Sequence, residues 1–130
     1  MTENEIGKMI VDSAIQLHRE TGPGLLESVY ETLLTYELEA RGLSVQRQVS
    51  IPVIYKGICF EEGFRADIVV ENKIILELKS VDNTSKAHKK QVLTYLKLSG
   101  LKLGYLLNFG EERMVDGISR LLNGYMTESL

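Results

Sequence analysis

Residues 63–80 read GFRADIVVENKIILELKS, and this stretch decides the fold of the chain. Two apolar runs, 64–70 and 74–80, flank the polar segment 71–73, a pattern that predicts a β-hairpin with a three-residue loop. In that register Val70 pairs with Ile74, and each further pair lies one residue outward on both strands. Asp67 is therefore predicted to face Glu77.

The two faces of this hairpin are predicted to differ, because side chains alternate along a strand. One face is expected to be apolar throughout: Phe64, Ala66, Ile68, Val70, Ile74, Leu76 and Leu78. The other is expected to carry Arg65, Asp67, Glu77 and Lys79. Directly opposed residues have Cβ atoms about 5 Å apart, a distance at which two carboxylates repel each other.

Two interpretations of the polar face follow from spacing alone. In the first, Asp67 and Glu77 bind Mg²⁺ or Mn²⁺, for which carboxylate oxygens are suitable ligands. Lys79 would then polarise an attacking water or stabilise charge on a phosphate. In the second, Arg65 and Lys79 neutralise the carboxylates as ordinary surface pairs. The spacing leaves both open.

Outside the hairpin, apolar periodicity and turn residues predict one mixed sheet flanked by helices in a single α/β domain, residues 1–130. The predicted order is α-α-β-β-β-α-β-α. The predicted helices cover residues 4–20, 25–41, about 86–98 with N-cap candidates at 82–85, and 111–122. The predicted strands cover residues 45–53, 64–70, 74–80 and 102–108.

Composition bounds the class of protein. A chain of 130 residues with 44% apolar residues can close a core without disulfides, and its one cysteine, Cys59, cannot form an internal disulfide. No signal peptide or membrane-spanning run is present, so we expect a cytoplasmic protein without membrane contact.

The charge of the chain is unevenly distributed. The net charge of −3 argues against binding nucleic acid by bulk electrostatics. Residues 79–102 nevertheless contain six lysines against Asp82 alone: Lys79, Lys86, Lys89, Lys90, Lys97 and Lys102. They are either a phosphate-binding segment or the solvated side of a helix, and composition favours the solvated helix.

Two motifs resemble those of a known family. Asp67 followed by Glu77-Leu78-Lys79 resembles the D…(D/E)xK signature of the restriction-endonuclease-like superfamily, with Ala66 at the place of the usual proline. Residues 24–31, GLLESVYE, are similar to the G-x-x-E-x-x-Y pattern of the GxxExxY proteins, a PD-(D/E)xK family. The similarity in order and spacing extends from about residue 18 to 117.

The resemblance implies a restriction-endonuclease-like fold and a metal-dependent nuclease that hydrolyses nucleic-acid phosphodiester bonds. It implies that Glu27 joins Asp67 and Glu77 in binding Mg²⁺ or Mn²⁺, and that the helix face of Gln91 and Tyr95 borders the site. We expect DNA rather than RNA as substrate, and a homodimer or a partner as the source of specificity. The alternative is a nucleic-acid-binding or protein-interaction module that keeps the fold and does not cleave.

Four further residues are candidates for supporting roles. Tyr30 lies on one helical stripe with Glu27 and is expected to bury its ring beside it. His88 shares a stripe with Gln91 and Tyr95, and it either positions water or phosphate or is a partly exposed helix residue. Arg65 either clamps a phosphate or pairs with Asp67. His18 either contacts the site or is a helix-end residue near the C-terminal dipole of its helix, and we expect the helix-end role.

Overall fold

The computed structural model describes residues 1–124, with only the backbone of Glu62. The helices are α1 (Glu3–Thr21), α2 (Glu27–Ala40) and α3 (Lys86–Ser99). The strands are β1 (Val45–Tyr55), β2 (Ile58–Val70), β3 (Ile74–Lys79), β4 (Leu103–Asn108) and β5 (Ile118–Leu122). A 3-10 turn, Met114–Gly117, precedes β5.

The described strands form one five-stranded sheet in the order β1-β2-β3-β4-β5. Strands β3 and β4 are parallel, and the other neighbouring pairs are antiparallel. Helices α1 and α2 pack on one face through residues such as Ile10 and Leu34, and α3 covers the other through Val92 and Leu96. The predicted mixed sheet flanked by helices is confirmed, and it is consistent with a restriction-endonuclease-like fold.

Local sequence explains where α1 and α3 begin. Thr2 accepts a hydrogen bond from the Glu5 N–H while the Glu5 side chain accepts one from Thr2, which forms a capping box. At α3, Ser85 and His88 make the equivalent reciprocal pair. Of the four N-cap candidates in the sequence, Ser85 is therefore the one that caps the helix. In the described residues, no helix has the length and apolarity needed to cross a membrane.

The predicted register of the central hairpin is confirmed. Val70 is opposite Ile74, and the ladder continues through Ile68 opposite Leu76. Glu71 and Asn72 both adopt φ of 54°, so the three-residue loop places two residues in the left-handed region. This conformation lets the Lys73 N–H donate to the Val70 carbonyl at 2.9 Å.

The predicted division of the hairpin into one apolar and one polar face holds only in part: five of the seven residues assigned to the apolar face pack in one cluster, namely Ile68, Val70, Ile74, Leu76 and Leu78, but the opposite face is not polar. Both faces of β3 are covered, because Ile74 packs with α1 and α2 while Ile75 packs with α3. Phe64 and Ala66 also pack on the α3 side, and Ile68 packs on the opposite side. Simple alternation fails between residues 66 and 68, where the neighbouring strand β1 has a left-handed residue.

The predicted C-terminal helix, residues 111–122, is also wrong. The segment forms the 3-10 turn and β5, which pairs with β4 from Ile118 opposite Leu107 to Leu122 opposite Leu103. A strand here gives hydrogen-bond partners to the backbone N–H and C=O groups on the free edge of β4. This tertiary effect overrides the local preference of the segment for a helix. Gly117 also lies so close to the Asn108 carbonyl oxygen that a Cβ atom at position 117 would clash with it.

Candidate functional site

The candidate site lies where β2 diverges from β3. Beyond Ile68 and Leu76 the paired ladder stops, and β2 continues beside β1 as a two-stranded ribbon. At this point the side-chain carboxylates of Asp67 and Glu77 accept hydrogen bonds from backbone N–H groups of the facing strand, in place of backbone carbonyls. The Asp67 N–H donates to Glu77 Oε1 at 3.1 Å, and the Leu78 N–H donates to Asp67 Oδ2 at 2.9 Å.

Both carboxyl groups are held in an environment that disfavours their charge. Glu77 is only 5% exposed. Burial, followed by the negative charge of Asp67, raises the pKa of Glu77 to about 7. Burial also raises the pKa of Asp67, and the Leu78 hydrogen bond opposes that rise. The half-buried Lys79 lowers the pKa of both groups, but its effect is smaller than that of burial.

Each carboxylate keeps one oxygen that is not bonded to the backbone. Asp67 Oδ1 lies 3.5 Å from Gln48 Nε2. Within residues 1–124, no described group donates a hydrogen bond to Glu77 Oε2. The pair therefore offers two oxygens of unfavourably buried, like-charged groups, an arrangement that a cation would stabilise.

Glu27 does not form a three-residue cluster with this pair in the described part of the chain. It is an exposed residue in the first turn of α2 and lines a cleft of about 470 Å³ together with Leu25 and Ser80. Its charge adds to the rise in the pKa of Glu77, after burial and Asp67. Among the described side chains, no three from His, Cys, Asp and Glu are close enough to hold one ion. The structure thus brings Asp67 and Glu77 together without Glu27.

The buried acidic residue of α2 is Glu31, which the sequence analysis did not propose for the site. It is 7% exposed and binds two residues of β1. Arg47 Nε donates to its Oε2 at 2.9 Å, and Gln48 Nε2 donates to its Oε1 at 2.6 Å. Glu31 lies on the same helical stripe as Glu27, so periodicity alone could have indicated it. No sequence signal marked Gln48.

Tyr30 organises the loop before α2. Its ring is fully buried and stacks on Phe109 with centroids 4.3 Å apart. Its hydroxyl donates to the Gly22 carbonyl at 2.5 Å and accepts from the Leu25 N–H at 3.3 Å. Tyr30 therefore fixes the turn that leads to Glu27, and its contacts are structural.

The α3 residues named by the sequence occupy different environments. Tyr95 is 6% exposed and stacks on Phe64 with centroids 3.6 Å apart. Tyr95 belongs to the same core cluster as Ala66, the neighbour of Asp67, so this side of α3 faces the carboxylates. Burial, then the charges of Glu77 and Asp67, raises the pKa of Tyr95 to about 12. Gln91 is exposed one turn earlier. His88 is engaged in the cap of α3, where its Nδ1 accepts from the Ser85 N–H at 3.3 Å.

Two other basic candidates lie outside the carboxylate pair. Arg65 is exposed on β2 opposite Ser50, and among the described residues it makes no ion pair with Asp67. His18, near the end of α1, is buried, and its Nε2 lies 2.8 Å from the Glu111 carbonyl. The expectation of a helix-end residue agrees with this position.

The lysines of α3 are exposed: Lys86, Lys89, Lys90 and Lys97. With 3.6 residues per turn, Lys86, Lys90 and Lys97 form one stripe, and Tyr95 lies on the other side of the helix. The lysine stripe therefore does not face Asp67 and Glu77.

Comparison with known proteins identifies the family. A sequence model of the PD-(D/E)XK nuclease superfamily matches residues 4–121. Searches of curated proteins and of solved structures found no match. The matched segment includes α2 and α3, all but the first residue of α1 and all but the last residue of β5, together with the Asp67–Glu77 pair. The chain therefore belongs to the PD-(D/E)XK nuclease superfamily.

Proposed function

We propose that this protein is a divalent-metal-dependent nuclease that hydrolyses phosphodiester bonds of nucleic acid. Membership of a nuclease superfamily supports hydrolysis of nucleic acid in general. The observation that carries the metal-dependent mechanism is the pair of adjacent carboxylates at the point where two strands diverge, the half-buried Asp67 and the buried Glu77.

The donor set fits Mg²⁺ or Mn²⁺. Mg²⁺ is commonly bound by one or two carboxylates, with waters and substrate phosphates completing its ligands. Asp67 Oδ1 and Glu77 Oε2 would supply these two protein ligands. When bound, the ion supplies Lewis-acid stabilisation of phosphate charge and activation of water.

The surrounding side chains have separate tasks in this proposal. Lys79, two residues after Glu77, stabilises negative charge on the phosphate and orients the attacking water. Glu27 assists from the cleft at the end of β3, where its charge already acts on Glu77. Tyr95 and Gln91 form the wall on the α3 side, and the exposed Arg65 is available to a phosphate farther along the ribbon.

The finer identity of the protein is part of the same proposal. Gly24, Glu27 and Tyr30 match the pattern of the GxxExxY proteins, and we assign the chain to that family. We keep DNA as the expected substrate, with a homodimer or a partner supplying specificity. A cytoplasmic location and a single domain over residues 1–130 also stay predictions.

The experiment is a cleavage assay on single- and double-stranded DNA and RNA with Mg²⁺, Mn²⁺ or EDTA. Wild type is compared with Glu77→Ala and Lys79→Ala, and Lys97→Ala, an exposed lysine on the side of α3 opposite Tyr95, is the matched control. We expect metal-dependent cleavage by wild type and by Lys97→Ala, with at least a hundredfold loss in the two site variants. Equal cleavage by all four proteins would refute the proposed site.

A second candidate is a binding module that does not cleave. One oxygen of each carboxylate accepts a backbone N–H, so the pair also has a structural role that needs no catalysis. Metal binding and nucleic-acid binding by wild type, without cleavage of any substrate in the panel, would support this candidate.

A further inference from the structure

Strand β1 passes beside the carboxylate pair at Gln48, whose side-chain amide lies between two acidic residues. Gln48 Nε2 donates to Glu31 Oε1 at 2.6 Å and reaches Asp67 Oδ1 at 3.5 Å. The first contact is a short hydrogen bond, and the second is at the long limit. The amide is therefore held mainly by Glu31 and presented to Asp67.

The backbone of Gln48 has an unusual conformation for its position. Its φ is 51°, in the left-handed region that residues other than glycine seldom adopt. The other described non-glycine residues with positive φ are Lys56, Glu71 and Asn72, and all three lie in hairpin turns. Gln48 alone of these four lies inside a strand, so the hairpin geometry does not require its conformation.

The register around Gln48 shows what this conformation does. Arg47 is opposite Ile68, and the ladder resumes with Val49 opposite Ala66. Gln48 lies between these pairs, across from Asp67. Strained backbone persists where its surroundings determine it, and such residues concentrate at functional sites. Here the strained residue turns its side chain toward the one oxygen of Asp67 that is not bonded to the backbone.

The Glu31 carboxylate is held in place by a second residue of β1, so its position, and that of the Gln48 amide bound to it, is well defined. Its other oxygen accepts from Arg47 Nε at 2.9 Å, and Arg47 also donates to Thr32 Oγ1 at 3.0 Å. Two consecutive residues of β1 thus bind one buried carboxylate of α2. The resulting chain of contacts runs from α2 through Gln48 to Asp67.

We propose that Gln48 is a positioning residue for the metal site, held by Glu31 and orienting Asp67 for the cation. This inference rests on the proposed function, since it assigns Gln48 to the support of a metal ligand. Partners that orient a metal ligand typically change metal affinity ten- to a hundredfold when they are removed.

The first test measures Mn²⁺ affinity by calorimetry in wild type and Gln48→Met. Methionine keeps the length of the side chain and removes both donors, and neither residue is glycine, so the backbone strain is retained. Gln46→Met, an exposed position two residues earlier on β1, is the matched control. We expect about a tenfold loss of affinity in Gln48→Met and less than a twofold change in Gln46→Met. Equal affinity in wild type and Gln48→Met would overturn the inference and leave the proposed function intact.

The second test needs no metal. Melting temperatures are measured in EDTA for Gln48→Met, Asp67→Asn and the double variant. If the amide orients Asp67, the shift of the double variant differs from the sum of the single shifts by at least about 2 °C. Gln46→Met combined with Asp67→Asn should be additive. If wild type binds no Mn²⁺, the proposed function fails, and the comparison of the single and double variants alone decides whether Gln48 holds Asp67. Additive shifts in melting temperature would refute that contact.

Discussion

Replacing Glu77 with glutamine is expected to stabilise the metal-free protein above pH 7, although it removes a proposed metal ligand. Glutamine has the same shape, and its Oε1 can still accept the Asp67 N–H. What it lacks is the negative charge, which in wild type is buried beside Asp67. Functional sites often carry such a cost in stability.

The magnitude follows from the pKa of Glu77, which burial and the charge of Asp67 raise from 4.5 to about 7. Below pH 4.5 the group is protonated in the folded and unfolded states and has no differential effect. Between pH 4.5 and 7 the unfolded state releases the proton first, so the stability of wild type falls as pH rises. Above pH 7 the full cost is present, up to about 3 kcal/mol.

The assay is urea unfolding in EDTA at pH 5 and pH 8. We expect the free energy of unfolding of Glu77→Gln to exceed that of wild type by about 1 to 3 kcal/mol at pH 8, and by much less at pH 5. Glu39→Gln, an exposed position on α2, is the control and should differ from wild type equally at both pH values. A gain for Glu77→Gln that does not grow between pH 5 and pH 8 would refute the reasoning.

A companion variant separates charge from hydrogen bonding. Glu77→Ala also removes the charge, but it leaves the Asp67 N–H without its acceptor and creates a gap in a buried region. An unsatisfied buried donor costs about 1 to 3 kcal/mol. Glu77→Ala should therefore be less stable than Glu77→Gln at both pH values, and equal stability would show that the hydrogen bond contributes nothing.

Three further outcomes follow from the structure. Mg²⁺ at a hundred times its dissociation constant should raise the melting temperature of wild type at pH 8 by about 10 °C and leave that of Asp67→Asn nearly unchanged, as measured by differential scanning fluorimetry. Tyr30→Phe, which loses the bond to the loop carbonyl, should lower the free energy of unfolding in urea by about 1 kcal/mol. Gly117→Ala should lower it by about 2 kcal/mol because its Cβ would clash with the Asn108 carbonyl, and unchanged stability would contradict the close approach.

The parts of the fold that the sequence predicts correctly are those set by local chemistry. The three-residue loop fixed the register of Val70 opposite Ile74, and the cap residues and apolar periodicity located all three helices. Two features are predicted wrongly: the hairpin is covered on both faces because α3 packs on the second one, and residues 111–122 depend on a distant partner. That segment becomes a strand because β4 offers it a free edge, and no local pattern records this.

In the candidate site, too, the sequence predicts the features that local spacing determines and misses those that depend on tertiary contacts. Hairpin spacing placed Asp67 beside Glu77, and the structure has them joined by a hydrogen bond. Periodicity placed Glu27 and Glu31 on one stripe of α2 but could not tell which of them is buried against β1. Gln48 was beyond sequence reasoning, since its left-handed backbone and its position between two carboxylates arise only when α2, β1 and β2 meet.

The geometry of the sheet and the chemistry of the site have one cause. When β2 leaves β3, two backbone N–H groups lose their strand partners, and buried donors of this kind need acceptors. Asp67 and Glu77 supply one acceptor each, so the divergence of the strands holds the buried Glu77 carboxylate beside the half-buried Asp67 carboxylate. Two groups of like charge then lie side by side, and they repel each other. Because the backbone bonds hold the carboxyl groups in place, the pair cannot relieve this repulsion by turning away. Protonation of Glu77 or the binding of a cation can relieve it, and only the cation leaves both carboxylates charged at neutral pH, as the proposed metal-dependent hydrolysis requires.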